Sequence, residues 1–381
     1  MSHLFNTYAR WDVEISSGQG TKVIDTSGKE YLDFTSGIGV CNLGHCHPEV
    51  VGPVREQLSK LWHTSNLFQS SLQEQVAELL VNHSCGDLVF FANSGAEANE
   101  AAIKLARKFT GKPKIITFLQ SFHGRTLGTI AATGQDKVKT GFGPMLETFQ
   151  HVPYNDIEAV KEAIDEQTAA VMLEVVQGEG GVIPADPNFI KKLEQVCFDN
   201  EVLLIIDEVQ TGIGRTGKPF AYQHYNISPD IITSAKGLGN GMPVGAMIGK
   251  KKLSTAFGPG SHASTFAGGP LVMTAAKATL GIVFQDSFLQ EVEKKAFFFA
   301  EKLTEMKPRL DGLADIRHKG FMFGLEFNKD AGSLVTKLRA HGLLALNAGP
   351  NVLRMLPPLT VSYGELEEAL NIIEKTGSFF C

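Results

Sequence analysis

The chain is 381 residues long, 43% hydrophobic and 20% charged, an ordinary globular balance that excludes disorder and fibrous repeats. A net charge of −6 argues against nucleic-acid binding, which needs a basic face. Glycine is the unusual component: 39 residues, about a tenth of the chain, against a usual share of about 7%, so many tight loops are expected.

The first residues, MSHLFNTYARWDVE, contain no basic segment followed by an apolar core, so no signal peptide is expected. Turn-rich pieces at Gly18–Gly20 and Thr26–Gly28 predict short hairpins. Apolar runs without alternation then recur at 88–92, 115–118, 169–173, 202–206 and 231–232. Such runs suit strands buried on both faces of a mostly parallel sheet. Helical spacing links Ala98, Ala101, Ala102, Leu105, Ala106 and Phe109, and a second helix fits 189–199. Strand–helix alternation over about 45–250 predicts a doubly wound α/β sheet.

The pattern changes near residue 270. Helices are predicted over 271–284 and 289–310, strands around 321–327, 343–346 and 352–355, and a last helix over 364–375. This reads as a smaller α+β domain. The expected division is an N-terminal segment (1–45) packing with the small domain, a large domain (46–270) and a small C-terminal domain (271–381). No run approaches the ~18 apolar residues of a membrane span, so no membrane partner is expected.

Strand 88–92 leads through Asn93-Ser94-Gly95 into a helix, and Ser94 with Glu97 matches a capping box. Free N–H groups and the positive dipole end make such a helix start an anion site, and Gly95 and Ala96 allow close backbone approach. The pattern Gly212-Ile-Gly214-Arg-Thr-Gly217 imitates a dinucleotide-binding loop. It is rejected: residues 207–211 separate it from its strand, and Pro219 and Pro229 leave only 220–228 for a crossover helix. Asp207 directly follows a buried strand, and Lys236 follows another before a glycine loop. A buried acid, a desolvated lysine and a phosphate cradle are together what pyridoxal phosphate (PLP) requires. Asp207 and Lys236 could equally form a structural ion pair and a surface amine.

Five segments resolve that choice: LVFFANSGAEANEAAIKLAR, SFHGRTLGTIAATG, QGEGGV, IIDEVQTGIGRTG and TSAKGLGNGMPVGA. In this order they resemble the class III PLP-dependent aminotransferases. The likeness runs from LDFTSGIGVCNLGHCHP to LRMLPPLT, nearly the whole chain. It implies the fold-type I architecture, with a large mostly parallel domain and a smaller α+β domain, and a homodimer. It also implies roles. Ser94, Gly95 and Ala96 would hold the phosphate, and Phe122 would stack on the pyridine ring. Asp207 would pair with the ring nitrogen, Val209 would pack behind the ring, and Gln210 would reach its phenolic oxygen. Lys236 would be the Schiff-base lysine and proton shuttle. Thr265 would reach the partner's cofactor phosphate, with Ser264 beside the substrate.

The same resemblance assigns carboxylate binding to Arg125 and Arg354, with Glu179 covering Arg354 when the donor is bound. The implied reaction moves the terminal amine of N2-acetylornithine to 2-oxoglutarate. Ornithine, 4-aminobutyrate, succinylornithine and N-succinyl-diaminopimelate are the alternative donors. Ile38, where ornithine-using members carry a tyrosine, leaves apolar room suited to an acetyl group. One departure from the family pattern is Val175, where Pro commonly follows the glutamate. A metal centre among Cys41, His45, Cys46, His47, His63, His83 and Cys85 is not expected, because the paired spacing of zinc sites is missing. Five cysteines, at 41, 46, 85, 197 and 381, are too few and too irregular for a disulfide framework; a reducing, cytoplasmic setting is expected.

Overall fold

The computed structural model describes residues 3–377; Cys381 lies outside them. The central sheet has seven strands: β1 (Leu88–Ala92), β2 (Lys114–Phe118), β3 (Phe149–Val152), β4 (Thr168–Leu173), β5 (Leu203–Asp207), β6 (Ile231–Ser234) and β7 (Gly245–Gly249). Their order is β1-β7-β6-β5-β4-β2-β3. Pairings β2/β3, β2/β4, β4/β5 and β5/β6 are parallel; β7 alone runs against its neighbours β6 and β1.

The unalternating apolar runs have the physical cause expected of them. Met172, Leu203, Ile205, Ile231 and Met247 join one core cluster, shared with Ala101, Ala102, Leu105 and Ala106 of the helix Gly95–Thr110. Val171, Leu173, Leu204, Ile206, Ile232 and Ile248 join a second cluster on the opposite face. Each of the strands β4 to β7 is thus buried twice, with successive side chains pointing to opposite faces.

Two strands of this sheet were not legible from apolar runs. Phe149–Val152 is an edge strand of mixed polarity, and Gly245–Gly249 (GAMIG) begins and ends in glycine, which disfavours strands. The predicted helices 189–199, 271–284 and 364–375 are found as Pro187–Asp199, Pro270–Val283 and Tyr363–Gly377. The one predicted over 289–310 is Asp286–Met306: it ends early because Pro308 supplies no N–H and the chain tightens into a 3₁₀ turn, Lys307–Arg309.

Three N-terminal strands (Ile15–Gln19, Lys22–Asp25, Glu30–Asp33) form an antiparallel meander. The last of them pairs in parallel with Leu343–Leu344, so the two ends of the chain share one sheet. A further antiparallel sheet joins Leu313–Lys319, Met322–Phe327, Val352–Met355 and Leu346–Ala348. Leu313–Lys319 (LADIRHK) and the helix Gly332–Ala340 are too polar to have been predicted.

The glycine pattern at 212–217 serves this long-range packing. Arg215 is fully buried and donates to the carbonyls of Phe321 and Pro357 and to Asn42 Oδ1. The segment that would have been a crossover helix is only a 3₁₀ turn, Ala221–Tyr225.

Candidate active site

The carboxyl ends of β1, β2, β4, β5 and β6 lie on one edge of the sheet, where open α/β sheets bind ligands. A cavity of about 420 Å³ opens there. Ser94, Gly95, Ala96, Phe122, Arg125, Glu179, Asp207, Val209, Gln210 and Lys236 all line it, drawn from five strand ends. Asn93, Asn99, His123, Glu174 and Val40 also line it, together with Gly124, Ala235 and residues 241–244.

Asp207 ends β5 and is 3% exposed. Its Oδ2 accepts from Asn99 Nδ2 and His123 Nδ1, both at 2.8 Å, and its Oδ1 accepts from the Val209 N–H at 3.0 Å. Asn99 is held in turn: Thr233 donates to its Oδ1 at 2.6 Å, and its amide also reaches the His123 carbonyl at 2.8 Å. Asn99 and His123 were missed by the sequence reading. Asn99 had a signal: it is a polar residue on the apolar stripe of the Gly95–Thr110 helix, next to Ala98 and Ala102. His123 Nε2 is buried with no partner, an orphan on this wall.

The helix start differs in one detail from the predicted capping box. Ser94 Oγ accepts from the Glu97 N–H at 3.1 Å, but the Glu97 carboxylate reaches back to Asn93, one residue before the cap, at 2.7 Å. Ser94 also occupies the Ala98 N–H through its carbonyl. The first helical N–H groups lack intrahelical partners, so Gly95 and Ala96, both on the cavity wall, are left as donors for an anion. A Cβ on Gly95 would stand 2.6 Å from Val209 Cγ1, so only glycine lets the helix end sit against Val209.

Lys236 adopts φ +42°, a backbone conformation unusual for any residue but glycine and one that marks functional sites. Burial lowers its pKa from the usual lysine value; Glu179 opposes that and Arg354 reinforces it. The result is an amine shifted toward its nucleophilic form.

Arg354, in the strand Val352–Met355, is buried, and its Nη1 donates to Glu179 Oε1 at 2.7 Å and to Gln210 Oε1 at 3.3 Å. Its Nε has no partner. Burial alone would raise the Glu179 pKa, but the Arg354 charge and hydrogen bond hold it below the ordinary carboxylate value. Glu179 sits in the tight turn between the short strands Val176–Gln177 and Ile183–Pro184. Arg125 is exposed, its guanidinium 5.5 Å from the Phe122 ring centre.

Four predicted residues are not on the cavity wall: Arg354 lies behind it, reaching the lining residues Glu179 and Gln210, and Ile38, Ser264 and Thr265 lie further out. Ile38 stands 45% exposed in a left-handed turn (φ +68°), two residues before Val40. Ser264 reaches the site indirectly, its hydroxyl accepting from Asn93 Nδ2 at 2.9 Å. Thr265 lines a separate surface cavity with Asn66, Leu67 and Phe90. Among the described residues, no group of three or more His, Cys, Asp or Glu side chains is placed to hold a metal ion, and no helix is long and apolar enough to cross a membrane.

The residues present fit PLP. Donors for a phosphate, a buried acid with fixed geometry and a desolvated lysine share one cavity of suitable size. Fold and site together define a PLP-dependent aminotransferase of fold type I. The family model described as aminotransferase class-III matches residues 6–376, and the chain belongs to that family. Acetylornithine aminotransferase of Bacillus cereus is 59% identical over 374 residues, covering 98% of this chain and 97% of that protein. Among solved structures, ornithine aminotransferase from Toxoplasma gondii matches with a TM-score of 0.94 at 31% identity, covering 98% of this chain and 92% of that one. N-acetylornithine aminotransferase from Stenotrophomonas maltophilia matches with a TM-score of 0.85 at 35% identity, covering 97% and 96%.

Proposed function

We propose that the chain transfers the terminal amine of N2-acetylornithine to 2-oxoglutarate, giving N-acetylglutamate 5-semialdehyde and glutamate, a step of arginine biosynthesis. The observation that carries this reading is the 59% identity to an acetylornithine aminotransferase over 98% of the chain, with every cofactor-facing residue of the motif in one cavity except Thr265. The ornithine aminotransferase from Toxoplasma gondii has the higher TM-score but is only 31% identical.

PLP, when bound, supplies an aldehyde that takes up the amine and a ring that accepts the electron pair released at the substrate carbon. Gly95 and Ala96 would bind its phosphate, with Ser94 fixing the helix start. Phe122 and Val209 would flank the ring, and Gln210 would face its phenolic oxygen. Asp207 would keep a proton on the ring nitrogen. Lys236 would be the amine that holds the cofactor's aldehyde carbon and would move the proton from the substrate carbon. Arg125 takes the α-carboxylate of the donor and the distal carboxylate of 2-oxoglutarate. Glu179 neutralises Arg354 while the donor is bound, since the carbon bearing the terminal amine has no carboxylate. With 2-oxoglutarate, Glu179 leaves and Arg354 binds the carboxylate beside the ketone. Ile38, two residues before the wall residue Val40, would offer apolar room for the acetyl group, and Ser264 would act through Asn93.

Residues 46–270 would be the cofactor domain, with 1–45 packing against the small domain 271–381. A homodimer is supported by an exposed apolar patch beside Thr265: Trp62, Leu67, Phe68 and Phe266 are each more than 60% exposed. In that dimer Thr265 would reach the partner's phosphate. Cysteines 41, 46, 85 and 197 are unpaired, which suits the cytoplasm. The test is a donor panel with 2-oxoglutarate as acceptor. Acetylornithine should give the highest kcat/KM; a higher value for ornithine or 4-aminobutyrate would overturn the assignment.

A further inference from the structure

Glu174 is a buried acid on the cavity wall that the steps above do not use. It follows β4 directly, and the Tyr154 hydroxyl donates to its backbone carbonyl at 2.7 Å. Its two carboxyl oxygens serve two different loops. Oε1 accepts from the Phe122 N–H at 2.9 Å, and Oε2 accepts from the Gly178 N–H at 3.3 Å. Phe122 belongs to the wall that carries Arg125, whereas Gly178 immediately precedes Glu179. One side chain therefore ties the cofactor-ring wall to the turn that covers Arg354.

We propose that Glu174 is a positioning residue that couples the Phe122 segment to the Gly178–Glu179 turn and so sets how readily Glu179 leaves Arg354 between the two half-reactions. This rests on the aminotransferase reading above. The ionised carboxylate offers an acceptor to each N–H donor. A protonated carboxyl group has a hydrogen where one donor already points, and the longer bond, to Gly178, is the one to fail. The charged and titratable groups around it are Asp207 from β5, His123 after β2, Lys236 after β6 and Tyr154 after β3. Burial pushes the Glu174 pKa up to about 7, and Asp207 adds to the rise; His123 and the two N–H bonds oppose it. The tie to Gly178 is thus intact above neutrality and loosened below it. A loosened turn releases Glu179, which favours the keto acid.

In wild-type holoenzyme, KM for 2-oxoglutarate should fall as pH drops through about 7. Glu174→Gln imitates the protonated form: at pH 8, KM for 2-oxoglutarate should drop several-fold while kcat changes less, and the inflection should flatten. In the cofactor-free protein, amide hydrogen exchange over residues 178–182 should speed up about tenfold in the same variant. Glu174→Asp, too short to span both loops, should show the same faster exchange and covers the case in which the glutamine variant folds poorly. A wild-type KM without the inflection, a variant that retains it, equal losses in both half-reactions, or unchanged exchange would each overturn the proposal. Wild-type protein that transfers no amine would instead overturn the assigned reaction, and the exchange result would still decide the role of Glu174.

Discussion

On one wall of the cavity Asp207 accepts three hydrogen bonds and is 3% exposed; on the other, the Glu179 side chain is 32% exposed, and Arg354 behind it keeps an unpartnered Nε. The first acid is held by donors from a helix, a loop and its own turn, so it has one position. The second sits on a short turn and is held mainly by one cation, Arg354 at 2.7 Å, with lesser help from Lys236 and Gln210, so it can have two. The contrast matches the two tasks. A group that sets a cofactor's electronics does the same thing in both half-reactions and gains from preorganisation. A group that must admit a carboxylate in one half-reaction and exclude it in the other gains from a single breakable bond.

Variants of the fixed wall should show the largest effects. Lys236→Ala should lower turnover by roughly 10⁴-fold or more, because both the covalent anchor and the proton carrier are lost. Single-turnover absorbance would check this, and near-normal turnover would remove Lys236 from its role. Asp207→Ala should cost about 10²–10³-fold in both half-reactions alike, the scale of one preorganised electrostatic partner. An effect confined to one half-reaction would break the contrast drawn between the walls.

The fixed wall was also the more legible in the sequence. Asp207, Lys236, Ser94 and Gly95 sit at strand ends or a helix start, where apolar runs and capping residues mark the chain locally. The sheet was legible for the same reason except where burial left no apolar signature, as in Gly245–Gly249. The supporting residues were harder. Asn99 and His123 act through contacts 108 and 84 positions away in sequence, and no local pattern encodes such a distance. Glu174 was read only as the neighbour of an unusual Val175, yet it bridges Phe122 and Gly178. The glycines divided likewise: Gly95 and the 178–181 loop border the cavity, whereas 212–217 serves to bury Arg215 against distant segments.

The switching wall should respond more weakly and unequally. Glu179→Ala should shift the ratio of half-reaction rates about tenfold toward 2-oxoglutarate, one charge-assisted hydrogen bond's worth, with the donor half slowed. The Glu179 pKa is held below its ordinary value, so this balance should not vary with its titration above neutrality. An unchanged ratio in the variant would mean the Glu179–Arg354 pair is only structural.

The smallest effect sharpens the contrast by asking what the fixed wall costs. Glu208 lies beside Asp207, fully buried, accepting from the Thr211 hydroxyl and the Tyr222 N–H. Burial pushes its pKa up to about 7 from the ordinary glutamate value of 4.5, with hydrogen bonds from Thr211, Ala221 and Tyr222 opposing. A carboxyl group whose pKa is raised by folding contributes stability that is fully present below about 4.5 and is lost as pH climbs to about 7, because the unfolded chain releases the proton first. Glu174 adds a slope of the same sign. Glu208→Gln removes one of the two titrations. Thermal unfolding of the cofactor-free protein should therefore show a Tm difference between variant and wild type that moves in the variant's favour from pH 4.5 to 7 and stays level above. A difference that is constant across that range would mean Glu208 is already ionised on folding, held by its three donors as firmly as Asp207 is by its own.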